Sequence, residues 1–305
     1  MRLRDLTSSM RWLVAVALLT ASYAVVNVAP AQASTTTNAD TAMSAFVSTM
    51  WDPAVKYFYT NSDHAVHAAH AYGPDGGLYT DFWWEAQNWE TDMDAYQRTN
   101  SPTYRTMIDD VYTGFTAFYP TSTNDFNDDL AWWALASIRA YNITAEAKYL
   151  TTAENLFNSI YAYQDATYGG GIWWQRSVQN QKNIAANAPA AQAAAMIYKA
   201  TGITSYLTDA QNLYSWAKTN LTDSAGHVYD HINSTGLVKW DFTYNFGSYI
   251  GAADALYDAT ATTAYRTDAI AAADWVTAKM TNGGTVNYEG VDDAGGFKMI
   301  LLRNL

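Results

Sequence analysis

The chain has 305 residues, of which 49% are hydrophobic, 15% charged and 15% aromatic, and none is cysteine. This is a globular composition with enough apolar material for a large core, and it excludes disulfides, thiol nucleophiles and thiolate metal sites. With 17 basic and 29 acidic residues, the formal net charge of −12 would repel a phosphate backbone. Nucleic acid is therefore not an expected partner, and any catalysis must come from carboxylates, hydroxyls or the five histidines.

The N-terminal residues differ from the rest of the chain. Three arginines flank the start of the apolar run 12–20, and Ala-Gln-Ala at 31–33 supplies the small residues of a signal peptidase site. Residues 1–33 are therefore predicted to be a signal peptide, so that the protein is secreted and free of the membrane after cleavage. The alternative is an uncleaved anchor over 12–28, which its polar residues make a poor span. The threonine-rich stretch at 34–41 is predicted to be a flexible leader.

The remaining residues, 42–305, carry an internal repeat that predicts pairs of helices. Segments such as 145–162 and 205–220 mix charged and apolar residues at helical spacing, which indicates one-sided outer helices. Segments such as 129–140 and 185–199 are apolar on nearly all faces, which indicates buried inner helices. The turn within each pair lies between two tyrosines eight residues apart: Tyr96 and Tyr104, Tyr141 and Tyr149, Tyr198 and Tyr206, Tyr257 and Tyr265.

Alternating inner and outer helices predict an all-α toroid of helical hairpins around an axial cleft. About ten helices can be placed: one near 40–51, eight in the four repeats and one that begins near Gly296. A ring of six hairpins has twelve helices, so the domain at 42–305 is expected to be an (α/α)6 toroid that lacks its last helices at the C-terminal end. The protein is expected to be a monomer.

Long loops join each outer helix to the next inner one, and they meet at one rim of the toroid, where binding residues collect. The loop at 165–183 contains Gly-Gly-Gly-Ile-Trp-Trp, and the loop at 223–242 contains two histidines and Trp240. Each tryptophan has two interpretations, a core filler or a platform on which a neutral sugar stacks. Three adjacent pairs occur: Trp83 and Trp84, Trp132 and Trp133, Trp173 and Trp174.

Adjacent aspartates also occur three times, so the dipeptide by itself is a weak signal. The pair at 109–110 lies within an outer helix, where solvation or an ion pair with Arg105 explains it. The pair at 292–293 lies in a glycine-bounded loop, where a turn or a helix cap explains it. The pair at 128–129 differs because it opens an inner helix at the rim of the cleft.

Asp128 and Asp129 have a structural and a catalytic interpretation. The structural one is capping of the helix by Asn127 or Asp128. In the catalytic one, consecutive carboxylates diverge by about 100° around the helix and flank a single bond. Retaining glycosidases need carboxyl groups about 5–5.5 Å apart and inverting ones about 6.5–9.5 Å, and adjacent residues meet the shorter spacing more readily.

Four motifs in order resemble those of glycoside hydrolase family 76, at 126–133, 169–174, 182–190 and 243–247. The resemblance implies an (α/α)6 barrel and retaining hydrolysis of α-1,6-mannan by an endo-α-1,6-mannanase without metal or cofactor. It also implies that Asp128 is the nucleophile and Asp129 the acid/base. With Trp132 of the second tryptophan pair, the motif positions expected to bind the substrate are Trp132, Trp173, Trp174, Asn183, Asn187, Tyr244 and Asn245.

Other functions stay open at this point. A mannan transglycosylase would use the same two aspartates and pass the glycosyl group to a sugar instead of water. A non-catalytic glycan-binding toroid would use the tryptophans while the aspartates only cap the helix. Histidine spacings of three and four residues are compatible with metal ligation on a helix, but histidines in loops are more commonly just solvated: His64, His67 and His70, and His227 and His231.

Overall fold

The computed structural model describes residues 36–305, so the predicted signal peptide lies outside the described residues. The chain divides into two units, with the boundary between Ala42 and Met43. Of the first unit, the structure describes the beginning of helix α1 (Thr36–Met50).

The flexible leader expected at 34–41 is wrong from residue 36 onward, where the chain is already helical. The alanines that follow the threonines favour a helix. Thr41 also donates its hydroxyl to the Thr37 carbonyl oxygen at 2.8 Å, one turn earlier, which ties this threonine to the helix.

Residues 43–305 form the predicted toroid of helical hairpins. The hairpins are α3 (Phe82–Thr99) with α4 (Pro102–Phe118), α5 (Asn127–Thr144) with α6 (Ala147–Tyr161), α7 (Ile184–Thr201) with α8 (Thr204–Leu221), and α9 (Thr243–Thr260) with α10 (Thr263–Lys279). A four-residue helix α2 (Pro74–Gly77) precedes them, and α11 (Asp293–Asn304) follows them. None of the helices described here is both long and apolar enough to cross a membrane.

The inner helices are the first members of the hairpins together with α11, as the sequence predicts. They pack side by side in the order α3, α5, α7, α9 and α11, and the outer helices cover them. Side chains connect α11 to α3: the Arg303 guanidinium lies 3.3 Å from Glu90 and 3.2 Å from Asp94. The inner helices are therefore linked around the axis, with their N-terminal ends at one rim.

Each hairpin turn uses the same chemistry, which explains the tyrosine repeat. The carbonyl of the first tyrosine accepts a backbone hydrogen bond from a residue in the left-handed conformation that ends the inner helix. A threonine just before that residue donates to the carbonyl four positions earlier and accepts from the amide two positions later, as in Thr144 with Ala140 and Glu146. The four threonines are Thr99, Thr144, Thr201 and Thr260.

The rim loops contain short strands that the sequence analysis did not predict. An antiparallel sheet joins the two longest loops through β3 (Gln181–Asn183), β4 (His231–Asn233) and β5 (Gly236–Val238). It ties the segment before α7 to the segment before α9, so both loops are held at the rim. Two further antiparallel pairs are β1 (Trp51–Asp52) with β2 (Tyr57–Phe58) and β6 (Thr281–Asn282) with β7 (Thr285–Val286).

Candidate active site

A cavity of about 670 Å³ opens at the rim where the inner helices begin. Helix N-termini carry unpaired N–H groups and a partial positive charge, which favours carboxylates at this end of the toroid. The first turns of the five inner helices and the residues just before them supply most of the lining, including Asp81, Trp83, Asp128, Asp129, Trp132, Asn183, Ala185, Phe242, Tyr244, Asp293 and Phe297.

Asp128 lies in the first turn of α5, partly exposed to the cavity, with both oxygens held. Its Oδ2 accepts a hydrogen bond from the Trp174 indole Nε1 at 2.8 Å, and its Oδ1 accepts one from the Asp129 backbone amide at 3.1 Å. Burial raises the pKa of this carboxyl to about 6, while donors such as Trp174 and Asn183 counteract the rise by stabilising the anion.

Asp129 has a different environment although it is the next residue. Its Oδ2 accepts one hydrogen bond from the Asn124 amide at 2.9 Å. Burial first, and then the negative charge of Asp128, raise the pKa of Asp129 well above its usual range. Asp81 and Asp293 add to this rise. Of the two neighbours, Asp128 is therefore the one that ionises first, and Asp129 is the one that keeps a proton.

The charged side chains of the cavity wall are all acidic. Five aspartates line it, and no lysine, arginine or histidine of the part of the chain described here is among the lining residues: Asp81, Asp128, Asp129, Asp230 and Asp293. Carboxylates close together in a partly buried site raise one another's pKa, and in this wall, besides burial, Asp128, Asp81 and Asp293 raise the pKa of Asp129. A wall of this kind disfavours an anionic ligand and favours a neutral one.

The capping interpretation of the pair at 128–129 is wrong. The N-cap position of α5 is Phe126, which makes no capping hydrogen bond with its side chain. Asn127 uses its amide instead to donate to the Trp173 carbonyl at 2.8 Å and to accept from Arg176 at 2.8 Å. The N-cap position of the helix therefore has no side-chain cap, and the Asp128 carboxylate, in the first turn, accepts from the Asp129 amide and lines the cavity.

Four of the seven residues expected to bind substrate line the cavity with the two aspartates: Trp132, Trp174, Asn183 and Tyr244. Asn183 also caps α7, because its Oδ1 accepts from the Ala186 amide at 3.0 Å. Tyr244 donates its hydroxyl to Asp230. Their contacts with a sugar stay a prediction.

The other three expected residues are corrected, since they do not line the cavity. Trp173 donates its indole N–H to Asp165 at 2.8 Å, which turns its ring away from the cavity. Asn187 is fully buried and holds the loop through both the amide and the carbonyl of Ile172, at 2.7 and 3.0 Å. Asn245 is also fully buried, and it donates to the Trp240 carbonyl at 2.9 Å. These polar groups position loops, because buried amides must find hydrogen-bond partners.

The tryptophan pairs divide between core and cavity, and stacking of a sugar on the cavity tryptophans stays a prediction. Trp133 is fully buried, stacks on Phe115 with ring centroids 3.4 Å apart and donates to the Phe82 carbonyl at 2.6 Å. Trp132, its neighbour, lines the cavity. Trp83 lines the cavity as well and donates to Asp293 at 3.2 Å.

Three cavity aspartates escaped the sequence analysis. Asp293 was assigned to a turn or a cap, yet it accepts from the indoles of Trp83 and Trp84 at the cavity wall. Asp81 and Asp230 were not singled out. All three lie at or just before the start of an inner helix or strand at the same rim as Asp128, and this position in the repeat is the signal that could have found them. The pair at 109–110 behaves as expected, because Arg105 lies 2.7 Å from Asp109.

The four histidines whose side chains the structure describes do not converge on a common point. His64 contacts the Thr49 carbonyl at 2.7 Å and His67 contacts Asp63 at 2.9 Å, both on the surface. His227 pairs with Asp241 and stacks on Trp275, and His231 pairs with Asp230. Over residues 36–305, no group of three or more histidines and carboxylates is arranged to hold a metal ion.

Comparison with known proteins gives one family. The sequence profile of glycosyl hydrolase family 76 matches residues 34–305. Mannan endo-1,6-alpha-mannosidase DCW1 of Saccharomyces cerevisiae is 28% identical over 232 residues, which cover 66% of this chain and 51% of that protein. DCW1 of Candida glabrata is 30% identical over 222 residues, which cover 62% and 48%. The chain thus spans about half the length of the curated relatives it matches.

Solved structures share the fold. An alpha-1,6-mannanase of Salegentibacter sp. HEL1_6 superposes with a TM-score of 0.79 at 30% identity, covering 87% of this chain and 78% of that one. An inactive variant of that mannanase, with asparagine in place of two consecutive aspartates, was solved in complex with alpha-1,6-mannotriose. It superposes with the same TM-score of 0.79 at 29% identity and the same coverage of 87% and 78%.

Proposed function

The chain belongs to glycosyl hydrolase family 76, and from that premise we propose that it cleaves α-1,6-linked mannan by a retaining mechanism at Asp128 and Asp129. The observation that carries the proposal is the unequal environment of two neighbouring carboxyls in one cavity. Asp128 has the indole of Trp174 to stabilise its anion, whereas Asp129 faces the charge of Asp128. The inactive relative that lacks two consecutive aspartates supports the same pair.

The first step forms a glycosyl-enzyme ester. A carboxylate oxygen of Asp128 attacks the anomeric carbon of a mannose, and the bond from that carbon to O6 of the next mannose breaks. The electron pair of this bond goes to O6, which takes the proton of Asp129 and leaves as a hydroxyl. Asp128 is then esterified and Asp129 is ionised.

The second step reverses these roles. Once Asp128 is an ester it no longer carries the charge that raises the pKa of Asp129, so the pKa of Asp129 falls when it must act as a base. Asp129 then takes a proton from water, the water oxygen attacks the anomeric carbon, and the ester bond to Asp128 breaks. Two inversions return the α configuration, and both carboxyls regain their starting protonation.

The cavity wall suits a neutral sugar chain. Aromatic faces of Trp83, Phe242 and Phe297 line it next to carboxylates, which combines stacking surface with acceptors for hydroxyl groups. Two further lining aromatics remain largely exposed, Tyr72 at 83% and Trp240 at 57%. We expect these two to contact sugars beyond the one that reacts.

The proposal is tested by incubating the purified protein with linear α-1,6-mannan and following product size and anomeric configuration by NMR. Products that appear first as the α-anomer support retention, and initial β-product contradicts it. Asp128→Ala and Asp129→Ala should each lower the rate of mannan turnover by about 10³-fold or more, while mannan binding remains. Binding by the unsubstituted protein without any turnover would instead identify a glycan-binding toroid, and products longer than the substrate would identify a transglycosylase.

Secretion and the monomeric state belong to the same proposal. A mannan polymer is encountered outside the cytoplasm, which agrees with the signal peptide predicted at 1–33. N-terminal sequencing of the secreted protein should give a start near Ser34. Light scattering on the protein as it elutes from a size-exclusion column should give the mass of one chain.

A further inference from the structure

Lys182 is the one lysine of the described residues whose side chain is fully buried, and it lies on β3 between the two rim loops. Its ammonium contacts five oxygens, all from the preceding loop at 165–171. They are the carbonyls of Asp165 at 3.1 Å, Thr167 at 3.0 Å, Gly170 at 2.9 Å and Gly171 at 2.9 Å, and the Asp165 carboxylate at 2.6 Å. The ammonium thus gathers the loop around a single point of charge.

The loop can reach this arrangement only with an unusual backbone. Four consecutive residues, 168–171, have positive φ, including Tyr168 at 54°. At Gly171 a Cβ atom would lie 2.5 Å from the Trp216 ring, so only glycine fits there. Positive φ in a non-glycine residue costs free energy, and contacts elsewhere must offset that cost. The contacts with Lys182 contribute to the offset, together with a hydrogen bond from the Trp216 indole to the Tyr168 carbonyl, and Asp165 balances the charge of Lys182.

The same loop continues directly into Trp174, the hydrogen-bond donor of Asp128. The Trp174 amide donates to the Gln181 carbonyl at 3.0 Å, next to Lys182, and its carbonyl accepts from the Asn127 amide at 2.8 Å. Its indole then donates to Asp128 at 2.8 Å. A short series of contacts, through the backbone and then the indole of Trp174, therefore connects the Lys182 ammonium to the Asp128 carboxylate.

We propose that Lys182 is a positioning residue for the reaction: by holding the loop at 165–171 it keeps the Trp174 indole on the carboxylate of Asp128. The role rests on the proposed function, since it assumes that Asp128 is the nucleophile. Lys182 is not among the residues that line the cavity, so its effect passes through Trp174.

The groups that face Asp128 determine what loss of this contact does. On its own helix these are Asp129 and its amide, on α9 it is Tyr244, and at the rim they are Trp174 and Asn183. Asp129 and Tyr244 are acids whose own pKa values are raised by burial and by the charge of Asp128, so both stay protonated while Asp128 is ionised. Trp174 and Asn183 are donors that favour the anion, so a looser Trp174 raises the pKa of Asp128.

The test is Lys182→Met, which keeps the length of the side chain and removes the charge. We expect kcat/KM at neutral pH to fall about 10-fold, and the acidic limb of its pH profile to move up by about 0.5–1 pH unit. Leu156→Ala is the matched control, since Leu156 is buried on α6, outside the loop at 165–171, and its truncation destabilises the fold. It should lower the melting temperature and leave the acidic limb in place.

A double-mutant cycle separates positioning from general destabilisation. Trp174→Phe keeps an aromatic ring and removes the N–H donor, so Lys182→Met should add almost no further shift of the acidic limb in that background. An equal shift with and without the Trp174 indole overturns the proposal. An unchanged acidic limb in Lys182→Met also overturns it, even if the variant is less stable.

A second readout applies if Lys182→Met does not fold, and it needs no mannan cleavage. Asp165→Asn leaves the ammonium in place and weakens its hold on the loop, because the ion pair is lost. Hydrogen exchange at the Trp174 indole N–H, followed by NMR, should become faster in this variant and stay unchanged in Leu156→Ala. Equal exchange in all three proteins contradicts the positioning role without bearing on the proposed activity.

Discussion

At the scale of the residue, the site depends on how two adjacent carboxyls are partnered. The sequence was sufficient to find the pair at 128–129, because their position at the start of an inner helix separated them from two other aspartate pairs. It was not sufficient to find the partners. Trp173 and Trp174 are equivalent in the sequence, yet one contacts Asp165 and the other Asp128. Which way each ring turns depends on the loop that Lys182 holds.

Another residue-scale feature is Asp92, a buried carboxyl away from the cavity. It is fully buried on α3, and neither of its oxygens has a hydrogen-bond partner among the described residues. Burial, and then the charge of Asp110, raise its pKa to about 8. Glu85, on the same helix, has a pKa raised by burial to about 8. Both groups therefore keep a proton at neutral pH in the folded state.

These raised pKa values predict that stability falls as pH rises. Between the ordinary pKa of an aspartate and about 8, the folded state binds a proton at Asp92 that the unfolded state has lost. The free energy of unfolding should decline across this window by up to about 1.4 kcal/mol per pH unit for the group. Urea unfolding at pH 5 and at pH 8 measures this decline. In Asp92→Asn the free energy of unfolding should fall less between the two pH values than in the unsubstituted protein, by about 1 kcal/mol or more.

The control for this prediction is Asp274→Asn, since Asp274 is exposed on α10. It should retain the slope of the unsubstituted protein. If Asp92→Asn and Asp274→Asn lose stability equally between the two pH values, Asp92 is not the buried acid responsible.

At the scale of the element, the helices were predictable and the loops were not. Helical periodicity and composition gave inner segments 129–140 and 185–199, which lie within α5 and α7. The three-stranded sheet escaped because its strands have three residues each, too short to show an alternating pattern. The buried asparagines escaped for a related reason: Asn187 holds its own loop, and nothing in its position along the chain distinguishes that role from contact with a sugar.

The repeated hairpin turn offers matched positions for a test of stability. The residue that ends α5 is Ala145 with φ 58°, and the equivalent residue after α7 is Gly202 with φ 74°. Alanine is disfavoured in this conformation by about 1 kcal/mol and glycine is not. Ala145→Gly should therefore raise the free energy of unfolding by about 1 kcal/mol, and Gly202→Ala should lower it by a similar amount.

Packing does not complicate either substitution. Ala145 is exposed, and a Cβ atom at Gly202 would meet nothing within 4 Å. Chemical denaturation of the two variants beside the unsubstituted protein measures both effects. A loss of stability in Ala145→Gly would contradict a turn governed by its left-handed residue.

At the scale of the whole toroid, the repeat itself creates the site. Five inner helices begin at one rim, so their first turns and preceding loops surround one cavity, and five aspartates come together there from separate parts of the sequence. The toroid was predictable because each hairpin repeats the same pattern. The wall of aspartates was not predictable, because Asp81, Asp230 and Asp293 look like ordinary turn residues in the sequence. Only the closed arrangement of the inner helices brings them to the same cavity as Asp128.

The central claim is that Asp128 attacks the sugar while Asp129 supplies and removes the proton. The most direct measurement is to trap the intermediate with a slow fluorinated α-mannosyl substrate and to locate the adduct by mass spectrometry of the digested protein. We predict one mannosyl ester, on Asp128, which Asp129→Ala still forms from a substrate with a good leaving group and Asp128→Ala does not. An adduct on any other residue, or turnover of the slow substrate with no adduct at all, would contradict the account.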